Sequence, residues 1–262
     1  VVNSKVSEVR VEARSLCKRA FHALLERLGI RRLREHSFFA SLLPKEAIVA
    51  DLGAHRGEFL AGLKSEYSIS RAILVEANPA LAESLKQTFS EADVVHAALV
   101  GGDSEGPIRF TRSIQPEASS VFREWAAVYG FEDEVEVPVV KFATIIRTLG
   151  GRVDLVKFDI EGAEIEILKE ARASDLNSCA QFTVEFHDKQ PIGTRQAVED
   201  VCRRMRSEGH LIVKPNWPKV DDVLFINLNR MRPMKRIEVR WRVALANALF
   251  FVRRRIFASG YS

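Results

Sequence analysis

Cysteine is scarce: three residues in 262, Cys17, Cys179 and Cys202, an odd number with no Cys-x-x-Cys pair. A disulfide framework or a cysteine-based zinc site is therefore not expected, and a reducing compartment is the simpler reading. No Asn-x-Ser/Thr acceptor occurs, and the residues present show no signal-peptide pattern. Long apolar runs are missing too. The longest, Trp241 to Val252, is broken by Arg242 and falls short of the roughly 20 residues that span a bilayer. Cytoplasm is the expected compartment, with peripheral contact at a membrane as a further option. Internal repeats and low-complexity segments are absent, which excludes solenoids and linkers.

What is present is a soluble globular composition, 47% apolar and 28% charged. The 39 Lys+Arg against 35 Asp+Glu leave a formal charge of only +4, but its placement is uneven. Residues 230–255 hold nine basic side chains and one acid, Glu238, and the first forty residues hold nine basic and four acidic ones. The ends are basic and the middle acidic, a split that points to an anionic partner for the ends.

Apolar residues from Val6 to Leu28 recur at helical spacing, with Gly29 as the C-cap. A second short helix is predicted to follow to Leu43, stopped by Pro44. From residue 47 short apolar runs alternate with helical segments. Strands are predicted at 47–51, 71–76, 94–96, 153–159, 181–186, 210–213 and 223–227. Helices are predicted from Gly57, from Pro79, over 163–171 and over 195–208. Such alternation predicts an α/β fold with a mostly parallel sheet and helices on both faces. We divide the chain into an N-terminal helical extension (1–44), a main domain (45–229) and a basic amphipathic helical tail (230–262). An insert at 107–140, with strands at 107–112 and 135–140, falls where loops commonly build a substrate side.

The sharpest local signal is Asp51-Leu-Gly53-Ala-His-Arg-Gly57, where a strand turns into a helix. Gly53 permits a tight turn and close approach of a ligand; Gly57 opens the helix, whose amides can face an anion. Glu76 ends the next strand, where an acid can accept both hydroxyls of a ribose. A dinucleotide site would want a second glycine at position 55, which is His55. Asp51 would repel a pyrophosphate but suits a cofactor carrying an ammonium group. S-adenosylmethionine, with an ammonium, a sulfonium and a ribose, is favoured over NAD.

Val49-Ala-Asp-Leu-Gly-Ala-His-Arg-Gly-Glu-Phe59, Val75-Glu-Ala-Asn-Pro79, Val153-Asp-Leu-Val-Lys-Phe-Asp-Ile-Glu-Gly-Ala-Glu164 and Val184-Glu-Phe-His187 together resemble the FkbM family of S-adenosylmethionine-dependent methyltransferases. The resemblance implies a Rossmann-like class I methyltransferase fold, seven strands with one antiparallel, and O-methylation of a hydroxyl. It implies that Asp51, Gly53, Ala54 and Gly57 lie at the methionine part of the cofactor, Glu76 and Ala77 at the ribose, and Ala97 and Ala98 beside adenine. It places Lys157, Asp159 and Glu161 near the methyl group, with Glu185 and His187 across the crevice; Glu161, Glu185 and, from the loop of the insert, Ser120 are the substrate-side candidates. His55 and Arg56 depart from the family's usual residues, and Lys141-Phe-Ala-Thr144 lacks an acid often found there.

An alcohol needs a positioned base to take its proton. His187 is the first candidate, since an unperturbed imidazole titrates near neutrality, and Asp159 is the second. No metal is expected, although Asp159, Glu161 and Glu185 are of the type that suits Mg²⁺. Asp159-Ile-Glu-Gly162 stands where amine methyltransferases carry an Asn/Asp-Pro-Pro-Tyr element, which disfavours nucleobase amines. His22, His36 and His210 read as structural or solvated, Glu164 as a helix-dipole acid, and Lys157 as a partner of Asp159 or Glu185. The expected acceptor is a hydroxylated small molecule or a glycan-related one, and nucleic acid is not expected. The rivals are an NAD-dependent oxidoreductase and a non-catalytic scaffold or membrane-surface protein. The tail is read as docking on the fold or on a second copy in a homodimer, or as contacting a membrane.

Overall fold

Short runs such as Ala47-Ile-Val-Ala-Asp-Leu52, buried almost throughout, can only be strands covered on both faces. The computed structural model describes residues 19–102, 104–187, 193–215 and 222–258. The predicted helix over Val6–Leu28 is described only at 19–27 (α1), and Cys17 lies outside the described residues. The chain continues through strands β1 (Ile30–Leu33), β2 (His36–Phe39) and β3 (Ala47–Leu52), then α2 (Glu58–Glu66), β4 (Ile69–Glu76), α3 (Pro79–Thr88), β5 (Asp93–His96) and β6 (Ala98–Leu99). The insert supplies β7 (Ile108–Ser113), α4 (Arg123–Val128), β8 (Phe131–Val137) and β9 (Val139–Val140). There follow α5 (Phe142–Thr148), β10 (Leu155–Phe158), α6 (Glu164–Glu170), α7 (Ala173–Asn177), β11 (Gln181–Glu185), α8 (Arg195–Ser207), β12 (His210–Val213), β13 (Asp222–Asn227) and α9 (Pro233–Ala258).

Seven strands make the central sheet in the order β12-β13-β11-β10-β3-β4-β5. All pairings are parallel except those of β13, which runs antiparallel to both β11 and β12. The connections run outward in one direction from β3 and in the other from β10. A crevice therefore opens between these two strands at their carboxyl ends, where open α/β sheets bind ligands.

Alternate residues sort to the two faces. Ala50, Ile73, Val156 and Phe182 pack with Ile145 of α5, Leu168 of α6 and Val201 of α8. On the other face Val49 and Leu155 pack with Phe59 and Leu63 of α2, and Leu74 packs with Leu85 and Phe89. Helix α3 starts where predicted: Asn78 caps it, accepting from the Ala80 and Leu81 amides, with Pro79 in the first turn.

The predicted second N-terminal helix is instead a β-hairpin, β1 against β2, with Leu33 opposite His36 across a tight turn in which Arg34 adopts φ +52°. The physical reason is the Phe38-Phe39 pair. Phe38 packs in the cluster with Val49 and Phe59, and Phe39 in another with Leu224 and Ile226. Consecutive side chains point in opposite directions on a strand, not on a helix. Buried polar groups pin the hairpin. The Gln181 carboxamide accepts from the Phe39 amide (2.7 Å) and donates to its carbonyl (3.3 Å), and the Ser37 hydroxyl donates to Asp222 (2.8 Å).

In the insert, β7 and β8 pair as an antiparallel hairpin. The run predicted as one strand at 135–140 is split at Pro138, whose carbonyl accepts from Ala98, and β9 pairs with β6 instead. Helix α9 lays Val239, Val243, Ala246 and Phe250 onto Val213, Leu224 and Ile226 of the last two strands. Among the described residues no helix is long and apolar enough to cross a membrane.

Candidate active site

The turn after β3 is forced by its neighbours. Gly53 adopts φ +77°, and a Cβ there would lie 1.7 Å from the Asp159 carbonyl oxygen. Only glycine lets the β3 and β10 ends approach so closely. The Gly53 and Ala54 amides both donate to the Val75 carbonyl (2.9 and 3.0 Å), locking the turn against β4. Its curl aims the His55 amide at Glu76 Oε2 (2.8 Å), while the Asn78 amide donates to Oε1 (2.8 Å). Burial raises the Glu76 carboxyl above its ordinary value, and these two amides offset only part of that rise. Each oxygen accepts one bond and keeps acceptor capacity toward the cavity.

That cavity, of about 190 Å³, sits at the carboxyl edge of the sheet. Gly53, Ala54, Glu76, Ala77, Ala97, Ala98 and Asp159 all line it. Phe110, Glu117, Ser119 and Val121 of the insert close one side, and Arg34, Glu35 and His36 of the N-terminal hairpin close another.

Two residues assigned to the cofactor do not reach this wall. Asp51 is fully buried beneath it, ion-paired to Lys157 Nζ (3.2 Å). Gly57 supports the turn from behind: at φ +74° it caps α2, and a Cβ there would meet Phe89 at 2.2 Å. Nor does Ser120 present its hydroxyl. It is wholly buried, donating to the Glu161 carbonyl (2.6 Å) and accepting from the Phe122 amide (3.0 Å). The neighbouring Ser119 lines the cavity in its place.

Lys157 organises the floor. Its ammonium reaches Asp51 (3.2 Å), Asp159 (3.3 Å) and the Gly53 carbonyl (2.7 Å). Burial works against its charge, but the two carboxylates outweigh it and raise its pKa. Asp159 is the reverse case: burial pushes it up, yet Lys157 and His36 hold it well below the usual carboxylate range. His36, read as structural or solvated, is a wall residue here, with Nε2 3.4 Å from Asp159 Oδ2. Nothing local in the sequence marks it, because it reaches the wall only through the tertiary placement of the β1–β2 hairpin.

His187 lies between two carboxylates, Nε2 3.1 Å from Glu161 and Nδ1 3.4 Å from Glu164. Burial disfavours its charge, but these acids overcome that and raise its pKa well above the ordinary value. Glu164 is itself wholly buried and accepts from the Ile160 and Gly162 amides, a larger task than helix-dipole compensation. The Trp125 indole donates to Glu161 (2.8 Å) and meets the His187 ring edge-on at 5.7 Å. Glu185, at the end of β11, is raised to about 8 by burial and by the nearby Asp159 and Glu161 charges.

Donor atoms of His36, Asp159 and Glu185 lie within 4.8 Å of one another, as do those of Asp159, Glu161 and His187. Both groups are of metal-ligating type, and Lys157 and His187 already supply cationic charge to the same carboxylates.

Residues 51–212 match the Methyltransferase FkbM domain family. Among curated proteins none matches the chain. Among solved structures, methyltransferase FkbM from Methylobacillus flagellatus is similar at 20% identity and TM-score 0.46, over 72% of this chain and 46% of that one. The chain thus spans less than half the length of that relative. An rRNA methylase from Streptococcus thermophilus is similar at 10% identity and TM-score 0.41, over 72% of this chain and 90% of that one. A TehB-like SAM-dependent methyltransferase from Corynebacterium glutamicum follows at 14% and 0.36, over 84% and 99%.

Proposed function

Because the chain belongs to the Methyltransferase FkbM domain family, we propose that it methylates a hydroxyl of a small-molecule or glycan-related acceptor, using S-adenosylmethionine. The observation that carries this reading is the placement of Glu76. A buried carboxylate, oriented by two backbone amides, faces a cavity at the point where the sheet reverses its winding. The residues present fit the cofactor. Glu76 is built to accept ribose hydroxyls, Ala77, Ala97 and Ala98 leave room for a flat ring, and the acidic floor suits a cationic group. When bound, S-adenosylmethionine supplies an electrophilic methyl on a sulfonium.

The mouth of the cavity carries Glu35, Glu58 and Glu117, with Arg34 engaged by Glu58 (2.7 Å). Carboxylates accept hydrogen bonds from hydroxyls and repel phosphates, which favours a polyol over a nucleic acid.

The proton of the acceptor hydroxyl needs a base, and His187 does not suit the task. Glu161 and Glu164 raise the pKa of the ring well above its ordinary value and favour its charged form, and both nitrogens already face acids. Asp159, held as a carboxylate by Lys157 and His36, orients the hydroxyl. Glu185 is not among the residues that line the cavity, but its carboxylate lies within 4.8 Å of Asp159 and, raised to about 8, is matched to taking the proton. His187 then fixes Glu161 and Glu164 around that pair.

Calorimetric titration with S-adenosylmethionine, S-adenosylhomocysteine and NAD in parallel tests the cofactor. Micromolar binding of the first two with NAD silent is expected. NAD binding would favour the oxidoreductase reading, and silence from all three in folded protein the scaffold reading.

A further inference from the structure

Helix α9 is apolar on two sides. One side covers β12 and β13. The other carries Met234, Ile237, Trp241 and Leu245 at spacings of three and four, exposed by 76, 52, 69 and 53%, and continues through Phe251 and Val252. A single exposed leucine is ordinary, but a contiguous apolar stripe marks a contact surface. Its shoulders are basic: Lys235, Arg236, Arg240 and Arg242. The one acid of the segment, Glu238, is already engaged by Lys235 (3.1 Å) and Arg242 (2.6 Å).

We propose that this outer face docks on an anionic lipid surface. The helix cannot cross a membrane. At 26 residues, about 39 Å long, it matches an interfacial helix that lies in the headgroup plane. Such a helix buries Trp and Leu at the acyl boundary and sets Lys and Arg among lipid phosphates. Charge decides against the other occupants. Pairing α9 with α9 of a second copy would bring basic shoulders against basic shoulders, with Glu238 already taken. Nucleic acid phosphates would satisfy the arginines but leave Trp241, Ile237 and Leu245 without a partner. Only a surface that is anionic outside and apolar just beneath uses both features.

The test is co-sedimentation of the full chain with phosphatidylcholine–phosphatidylserine vesicles and with pure phosphatidylcholine vesicles. Binding to the anionic vesicles should be at least about tenfold tighter, should weaken with salt, and should fall by a similar factor in the Trp241→Glu/Leu245→Glu variant. Both positions are exposed, so the variant should keep the parent thermal midpoint, which separates lost docking from lost fold. Equal binding to both vesicle types, or undiminished binding by the variant, would overturn the proposal. So would a dimer in sedimentation velocity that the same variant dissolves, because a second copy would then own the face.

Discussion

Single side chains at the sheet edge divide between those that meet a ligand and those that hold the floor in place. Glu76→Ala removes a cavity carboxylate and leaves the His55 and Asn78 amides without their acceptor. Cofactor affinity in calorimetry should fall by about 1–3 kcal/mol, roughly ten- to a hundredfold. Glu185 should show itself in the pH–rate profile. With a carboxyl raised to about 8, the base form is populated as pH rises, so kcat/KM should rise through a midpoint near about 8 and level off above it. A bound sulfonium favours the carboxylate and moves the limb lower. Glu185→Gln should abolish this limb; a limb that survives in the variant belongs to another group. His187 should register in stability. Its folded pKa lies above the unfolded value, so its contribution is complete below about pH 6.5 and is lost as pH rises through the folded value. Denaturant melts of His187→Gln should show a loss of about 3 kcal/mol or more at neutral pH, because Glu161 and Glu164 lose their cation. The difference from the parent should shrink at high pH. None of these pairings could be read from the sequence. Asp51 and Lys157 stand far apart in the chain, and Glu161, Glu164 and His187 come from different elements. The sequence marked the acids and the imidazole and paired Lys157 with Asp159 or Glu185, of which Asp159 is the observed partner, but it could not assign the other pairs.

Elements were legible where their pattern was long or their boundary residue specific. The alternation from Ala47 onward, Pro79 after Asn78, and the runs that became β10 and β11 all carry their conformation in local chemistry. The β1–β2 hairpin was not legible, because Ile-Arg-Arg-Leu places its two apolar residues three apart, a spacing that a helix and a four-residue strand share. What makes it a hairpin is tertiary: two apolar clusters, one for each of Phe38 and Phe39, and the carboxamide of Gln181 on the Phe39 backbone. Gln181→Leu should leave a buried amide and carbonyl unpartnered, at about 1–3 kcal/mol for each group. The hairpin amides in hydrogen exchange should then lose protection before those of β3 and β10. Uniform loss across the sheet would mean that the clamp stabilises the whole domain instead.

The whole molecule is asymmetric in charge and in what its last helix does. The inner side of α9 completes a core that the seven strands leave open, so truncation before Pro233 should expose Val213, Leu224 and Ile226. Losing Val239, Val243 and Phe250 removes about 1.5–3 kcal/mol of burial for each side chain. A shortened chain should melt many degrees lower or collect in the insoluble fraction, whereas substitutions on the outer side should leave the midpoint alone. The hairpin carries a different consequence. Its Ser37 waits for Asp222, 185 residues later in the chain. At roughly 5–20 residues per second that interval on a ribosome is on the order of ten to forty seconds. During it the strands that bear Gly53 and Glu76 have emerged, but the segment bearing His36 still lacks its bond to Asp222 and the packing of Phe39 on Leu224 and Ile226. The wall is therefore fully tied down only once β13 has been made, and a nascent chain stalled before β13 should hold most of its sheet while the wall that His36 supplies stays less firmly held.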